Sequence, residues 1–493
     1  VFARGNAMKL YFLGHSERYA IEQLQMQLFP DDPPEVCDGP FKGDGIISAL
    51  FRGKTWVTAT TRIIRGSTII RSRAHIRTEQ ADVRATRRLL QRSFYRAAAQ
   101  AREQLPPWGA LAGVRPTKLA TAALLDGQTD KEVDRMLRTE FYVTTPRRKL
   151  CIEAAHQTLS AMKNLAPRDL SVYIGIPFCP TRCAYCSFVS QSIEKFGDLL
   201  APYLDVLLRE IEYTGKKLAE SGWHIRTLYM GGGTPTTLSS PQMARLLQAI
   251  GDNFDLSRCL EFTVEGGRPD TLDAEKLAVI KNGGATRISI NPQTMSDSVL
   301  HTIGRRHTAQ QTIDAYQMAR AAGFTDINMD IIAGLPCDTL PSFTNTMQEI
   351  LAMNPTNITV HTLALKKGAA RSWTQAQLPG WEMVRDMLSE ASRQLCAAGF
   401  TPYYLYRQKY TTGGFENTGW CREGYPGLYN IYMMEELHTI LSLGGGGMTK
   451  VQLAPGQLER FHNPKSPQDY IARADELPRQ KDEIFDLLAR IKE

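Results

Sequence analysis

From residue 170 onward the chain alternates short apolar runs with amphipathic stretches, and this alternation leaves few folds open. Strand candidates are Val172–Pro177, Thr227–Met230, Glu261–Glu265, Arg287–Ile290, Ile327–Ile332 and Ile358–Leu363. Helical patterns fall between them, at Pro202–Leu218, Pro241–Asn253, Asp273–Asn282, Ala309–Ala322 and Pro341–Met353. Short apolar strands separated by helices describe a parallel sheet buried on both faces. Six units suggest an open or partial barrel instead of the full eight, with its site in the loops that follow the strands.

The flanks read differently. Residues 8 to about 165 carry strand-like stretches at Lys9–Leu13, Ile46–Leu50, Trp56–Thr61 and Thr68–Ile76. A helical pattern follows from about Glu79 to Gln104, where Pro106 and Pro107 stop it. After about residue 370 the alternation fails: a helix around Trp381–Ala398 leads into an aromatic, glycine-rich stretch, Pro402–Lys450, and a final helix. The expected architecture is α/β, with an N-terminal α/β domain over 1–165, a partial (β/α)6 parallel barrel over 166–370 and an irregular C-terminal cap over 371–493.

Composition narrows the class. No apolar run approaches the roughly 18 residues of a membrane span, and Val1–Ser16 lacks the charged-then-apolar layout of a secretory signal. Nine cysteines, an odd number in a long chain, fit a reducing compartment where thiols bind metals or pack, so a cytoplasmic location is expected. Charge is uneven: from Arg62 to Arg102 there are eleven arginines against two acids, Glu79 and Asp82. An anionic partner would suit that excess, but a solvated strand and helix face is the simpler explanation, so nucleic acid is not expected.

Directly after the first barrel strand, Ile176–Phe188 reads IPFCPTRCAYCSF and places Cys179, Cys183 and Cys186 in a C-x3-C-x2-C spacing. Thiolates are the usual iron–sulfur ligands, and a [4Fe–4S] cube takes four. Three leave one iron open, as a catalytic metal site requires. Zinc would want paired C-x2-C motifs, which are missing. The second strand ends in LYMGGGTPT, where glycines allow close backbone approach to a ligand. Gly232, Gly233 and Thr234 are the candidates there, although a plain tight turn explains a glycine run equally well. Glu265 and Gln293 end the third and fourth strands, Arg305 lies a helix further on, Asp330 falls within the fifth, and Ala364 ends the sixth. One such residue is ordinarily a core polar group; several at strand ends suggest a ligand-binding rim. Carboxylates suit hydroxyls and ammonium, a guanidinium suits a carboxylate. The scattered histidines read as packing or hydrogen-bonding groups, with His361 in the sixth strand the exception to test because its neighbours line the expected mouth. Tyr403, Tyr404, Tyr406, Tyr410, Trp420, Tyr425 and Tyr429 suit a flat tetrapyrrole or a core equally.

The cysteine spacing, Tyr185 before the last cysteine, and the position after the first strand resemble the radical S-adenosylmethionine superfamily. FTVEGGRPDTL, RISINPQTMSDSVLHTIGRRH, INMDIIAGLP and ITVHTLALKKG, with Phe400–Tyr406, Tyr429-Asn430 and Leu443–Gly447, resemble the oxygen-independent coproporphyrinogen III oxidase family over roughly 170–450. The long N-terminal region with GVRPTK is similar to a branch found in anaerobic and spore-forming bacteria. Where the best-known oxidase has a further cysteine, this chain has Phe188.

The resemblance implies a [4Fe–4S] cluster on Cys179, Cys183 and Cys186, whose open iron takes the amino and carboxylate groups of S-adenosyl-L-methionine. It implies that Gly232, Gly233 and Thr234 cradle the cofactor's amino group, with Glu265, Gln293, Arg305, Asp330 and Ala364 completing the site and Tyr173 and Tyr185 touching it. The implied chemistry is hydrogen abstraction by a 5′-deoxyadenosyl radical. The implied reaction converts coproporphyrinogen III to protoporphyrinogen IX in haem biosynthesis, with an unidentified electron donor and acceptor. Haem chaperones built on the same scaffold share these motifs, and a tRNA-modifying radical enzyme is a third reading.

Overall fold

A computed structural model describes residues 7–491 apart from 30–31, 103, 187–188, 366–372, 375–376, 409–410 and 455. Phe188 and Tyr410 therefore lie outside the described residues. The chain forms two compact units, one up to Ile152 with short returns around Arg407 and Gly414, the other from Glu153 onward.

The first unit is built on five strands, β1 (Met8–Leu13), β2 (Pro34–Cys37), β3 (Gly45–Arg52), β4 (Trp56–Arg65) and β5 (Thr68–Arg77), in the order β2-β1-β3-β4-β5. β1 runs parallel to β2 and β3, while β3, β4 and β5 form an antiparallel meander. Alternation along β4 buries Val57, Ala59, Thr61 and Ile63. Helices Arg18–Leu28 and Val83–Gln100 cover that face, packing Ile21, Leu24, Leu89 and Phe94 on Leu10, Ile46 and Ile63. The helix expected from Glu79 begins at Val83, because Asp82 accepts the Ala85 N–H at 2.6 Å and caps it there. It ends at Gln100, short of Gln104.

In the second unit, β6 (Asp169–Ile176) is followed by a two-residue parallel ladder, β7 (Phe178–Cys179) with β8 (Gln191–Ser192). Then come β9 (His224–Gly232), β10 (Glu261–Glu265), β11 (Arg287–Ser289), β12 (Asp326–Ala333) and β13 (Asn357–Thr362). β6, β9, β10, β11, β12 and β13 pair in parallel in chain order, the six strands expected. Side-chain caps start the return helices: Ser239 for Ser240–Asn253, Asp273 for Ala274–Asn282, Thr308 for Ala309–Ala321, Thr339 for Leu340–Met353. Six parallel strands with helical returns send all six C-terminal ends to one edge.

The sheet does not close on itself. It continues into β14 (Thr401–Arg407), β15 (Glu416–Cys421), β16 (Thr439–Leu443), β17 (Met448–Ala454) and β18 (Gln457–His462), in the order β14-β15-β13-β12-β11-β10-β9-β6-β16-β17-β18. β16 lies parallel to β6, and β15 antiparallel to β13, where barrel closure would otherwise occur. The stretch expected to be irregular is therefore regular for much of its length. Its buried Tyr403, Tyr404 and Trp420 are strand residues, and aromatics favour strands; interspersed glycines hide this in the sequence. No helix of the described residues is long and apolar enough to cross a membrane.

Candidate cofactor site at the strand ends

The cysteine loop is tied to the glycine turn of the neighbouring strand. Gly233 N–H donates to the Ile176 carbonyl at 2.8 Å and Thr234 N–H to that of Phe178 at 2.7 Å. A Cβ on Gly233 would collide with the Phe178 carbonyl, and Gly232 holds φ +110°, so the turn needs glycine for its own packing. The Thr234 hydroxyl donates to Cys179 Sγ at 3.5 Å. Burial raises the Cys179 thiol pKa, and this contact opposes the rise. Arg268 Nη1 donates to Thr181 Oγ1 at 3.0 Å and to Cys183 Sγ at 3.8 Å. Arg268 is itself clamped by both Asp270 oxygens, at 3.0 and 2.8 Å. Cys186 N–H closes a turn on the Cys183 carbonyl at 3.0 Å.

All three cysteines are half-buried on one loop, and none is in a disulfide. Among the described residues, no three His, Cys, Asp or Glu side chains converge on a single metal ion. A cubane does not ask for that convergence, since each of its thiolates binds a different iron. Three thiols, two of them already accepting hydrogen bonds at sulfur, suit an iron–sulfur ligand set.

The inner face of the parallel sheet is polar where the strands end. The Tyr229 hydroxyl donates to Glu265, whose pKa is pushed up to about 7, chiefly by burial, with the Tyr229 contact opposing. Asp330 accepts from Asn328 Nδ2 at 2.8 Å and lies 3.6 Å from His361 Nε2. Burial raises Asp330, but His361, Asn328 and Thr359 together hold it below the usual carboxylate range. Gln293 adopts φ +71°, pinned by Gln293 N–H to the Asp330 carbonyl at 2.9 Å and Ile332 N–H to the Gln293 carbonyl at 3.0 Å. Arg305 is buried and donates to the carbonyls of Asn291 at 2.6 Å and Gly267 at 3.3 Å, and to the Tyr185 hydroxyl at 3.3 Å. Tyr173, Tyr229 and Tyr429 stack, with centroids 4.5 Å apart for Tyr229–Tyr429 and 6.3 Å for Tyr173–Tyr229. Ala364 makes an isolated bridge to Thr411.

Two polar atoms of this rim are buried without a hydrogen-bond partner, Gln293 Oε1 and Arg305 Nε. Unpaired buried polar atoms are costly in a finished protein, so these two are available to a ligand's or a water's polar groups. A side-chain acceptor and a guanidinium are the groups that would meet the ammonium and the carboxylate of an amino acid-like ligand. Reading the sequence alone missed Arg268, Tyr229 and Asn328. Arg268 sits inside the quoted motif EGGRPDTL, but nothing local says that it reaches Cys183.

An open parallel barrel carrying a three-cysteine loop at its first strand end is the layout of a radical S-adenosylmethionine protein. The radical SAM superfamily model matches residues 173–350. The chain is 37% identical over 389 residues to "oxygen-independent coproporphyrinogen-III oxidase-like protein HemZ" of Bacillus subtilis (strain 168), covering 77% of this chain and 78% of that one. It is 26% identical over 305 residues to "heme chaperone HemW" of Escherichia coli (strain K12), covering 61% and 75%. Among solved structures, the coproporphyrinogen III oxidase HemN of Escherichia coli, described as a radical SAM enzyme, aligns with TM-score 0.53 at 23% identity, over 68% of this chain and 78% of that one. The chain belongs to the radical SAM superfamily, in its oxygen-independent coproporphyrinogen-III-oxidase-like family.

Proposed function

We propose that this protein is an oxygen-independent coproporphyrinogen dehydrogenase, a radical enzyme that converts two propionate side chains of coproporphyrinogen III to vinyl groups. The observation that carries the reading is the gathering of a three-thiol loop, a glycine turn and the unpaired atoms of Gln293 and Arg305 at one edge of a parallel sheet. Cys179, Cys183 and Cys186 would hold a [4Fe–4S] cluster, and Glu265, Gln293, Arg305 and Asp330, with the Gly232–Thr234 turn, would hold S-adenosylmethionine. When bound, this pair supplies reductive generation of a carbon radical able to abstract hydrogen. Each propionate conversion removes one hydrogen atom and one electron and releases carbon dioxide, so the protein needs an electron acceptor.

The chain's own residues then have defined tasks. Arg268 and Thr234 donate to two cysteine sulfurs and hold the loop in register. Glu265, titrating near neutrality, and Asp330, kept ionised, supply negative charge for an ammonium. Arg305 supplies positive charge for a carboxylate. Tyr173, Tyr185 and Ala364 would line the cofactor, and the stacked tyrosines wall the site against water. The tetrapyrrole substrate and a cytoplasmic location belong to this proposal too.

A second reading is favoured by the likeness to haem chaperones: the same scaffold could bind haem without turning substrate over. Anaerobic incubation of the reconstituted protein with coproporphyrinogen III, S-adenosylmethionine and a reductant distinguishes the two. Vinyl product that disappears with Cys183→Ala supports the dehydrogenase. Stoichiometric haem uptake with no vinyl product would overturn it.

A further inference from the structure

The meander β3–β4–β5 has two faces of opposite character. Odd-numbered residues of β4 meet the two helices, so even-numbered ones point the other way. The register places Arg62 directly opposite Arg71, Thr60 opposite Arg73, Thr58 between Phe51 and His75, and Trp56 opposite Arg77. Arg62, Arg71, Arg73, His75 and Arg77 are all exposed. Phe51 is 51% exposed and Trp56 40%, unusual for side chains of that size.

Two like charges directly opposite across a strand pair destabilise a sheet, so the Arg62–Arg71 pair is not there for the sheet's benefit. Other arginines in the same run do have partners: Arg65 pairs with Asp32, Arg87 with Glu17, Arg88 with Glu140, and Arg96 donates to Tyr142. Arg62, Arg71 and Arg73 have no ion-pair or hydrogen-bond partner for their side chains among the described residues. Charges on β5 would also guard an exposed sheet edge. An edge guard, however, requires neither Arg62 on the inner strand nor two exposed aromatic rings. Arg71 and Arg73 stand roughly 7 Å apart on one side of β5, a row of cations beside Phe51 and Trp56. Basic side chains for phosphates next to aromatic faces for bases are the recognition chemistry of a single-stranded nucleic acid.

We infer that this exposed sheet face binds single-stranded RNA, with phosphates on Arg62, Arg71 and Arg73 and bases against Phe51 and Trp56. The inference is independent of the reaction proposed above and replaces the solvated face expected from composition. An acidic protein would satisfy the arginines but gives Phe51 no task; the Trp56 ring already carries the Arg77 guanidinium at 4.3 Å and His75 edge-on at 4.8 Å, which leaves one face for a base.

The test uses the full-length protein and a fluorescein-labelled 20-nucleotide oligouridylate, followed by fluorescence anisotropy between 50 and 200 mM salt. Binding is expected to weaken with salt, with a log–log slope of about 0.7 per phosphate contact. Arg71→Glu should weaken it about tenfold and flatten the slope, and Phe51→Ala should weaken it several-fold. Arg84→Glu, on the covering helix, carries the same change in net charge and should leave binding unchanged. Arg71→Gln serves if the reversal fails to fold, as judged by circular dichroism. The inference is overturned if no salt-dependent binding is found, or if Arg71→Glu and Arg84→Glu weaken it equally. It is also overturned if polyglutamate displaces the RNA at equal charge concentration and Phe51→Ala has no effect, the result of an acidic-protein face.

Discussion

The Tyr229 hydroxyl donates its hydrogen to the Glu265 carboxylate, at the point where the second and third strands of the barrel end. Its partner is an acid whose pKa is pushed up from 4.5 to about 7, mainly by burial. In the unfolded chain Glu265 ionises near 4.5, so across the interval to about 7 the folded protein retains a proton the unfolded one has lost. Stability from this group is present in acid and lost as pH rises through 7. Glu265→Gln keeps an acceptor for Tyr229 and removes the charge. In the absence of cofactor it should raise unfolding stability at pH 8 by about 3 kcal/mol and leave it nearly unchanged at pH 5. Urea unfolding at the two pH values measures this, and the same variant should bind S-adenosylmethionine more weakly.

Arg268 is buried, with Asp270 on one side and Thr181 and Cys183 on the other. Arg268→Gln cannot reproduce the fork and leaves Asp270 without its cation, a loss of about 3 kcal/mol for a largely buried pair. The cysteine loop should then be held less well. Iron content after anaerobic reconstitution is expected to fall below that of the wild type, and Arg268→Lys should restore little of it.

Two glycines should respond oppositely to the same change. Gly233→Ala drives a Cβ into the Phe178 backbone and should cost about 1–3 kcal/mol. Gly251 lies in the helix Ser240–Asn253 with nothing within 4 Å of an added Cβ. Gly251→Ala should raise stability by about 0.5–1 kcal/mol. Thermal unfolding of the two variants side by side tests both signs.

Lys481 and Glu210 form an ion pair at 2.7 Å with both side chains fully buried. Glu210 also accepts from Gly444 N–H at 2.8 Å, Asn463 Nδ2 at 3.0 Å and the Tyr470 hydroxyl. Lys481→Met strands the carboxylate and should cost about 3–5 kcal/mol, read as a lower denaturation midpoint for the second unit. Replacing both residues with apolar ones should recover part of that loss.

Much of this protein is local in origin. The period of its apolar residues determined six strands and their helices from residue 170 onward, since strand and helix patterns differ within a single turn. The C-x3-C-x2-C spacing determined the thiol loop in the same way. Gln293, Arg305 and Asp330 could be placed near a mouth because parallel strands with helical returns bring successive strand ends to one edge. The helix Arg18–Leu28 was also readable, from Ile21, Leu24 and Leu28, but was not expected.

Tertiary structure decided what depends on distant partners. Arg268 reaches a sulfur 85 positions earlier in the chain, and no local pattern carries that contact. β16 takes the place beside β6, and thus keeps the barrel open, through hydrogen bonds between segments whose separation the sequence does not restrict. The arginines make the same point. Their number is a property of the sequence alone, yet pairing Arg87 to a glutamate 70 positions away and leaving Arg62 facing Arg71 is the work of the folded sheet. Charge is counted along the chain, whereas its neutralisation is settled by which side chains packing brings within a few ångströms.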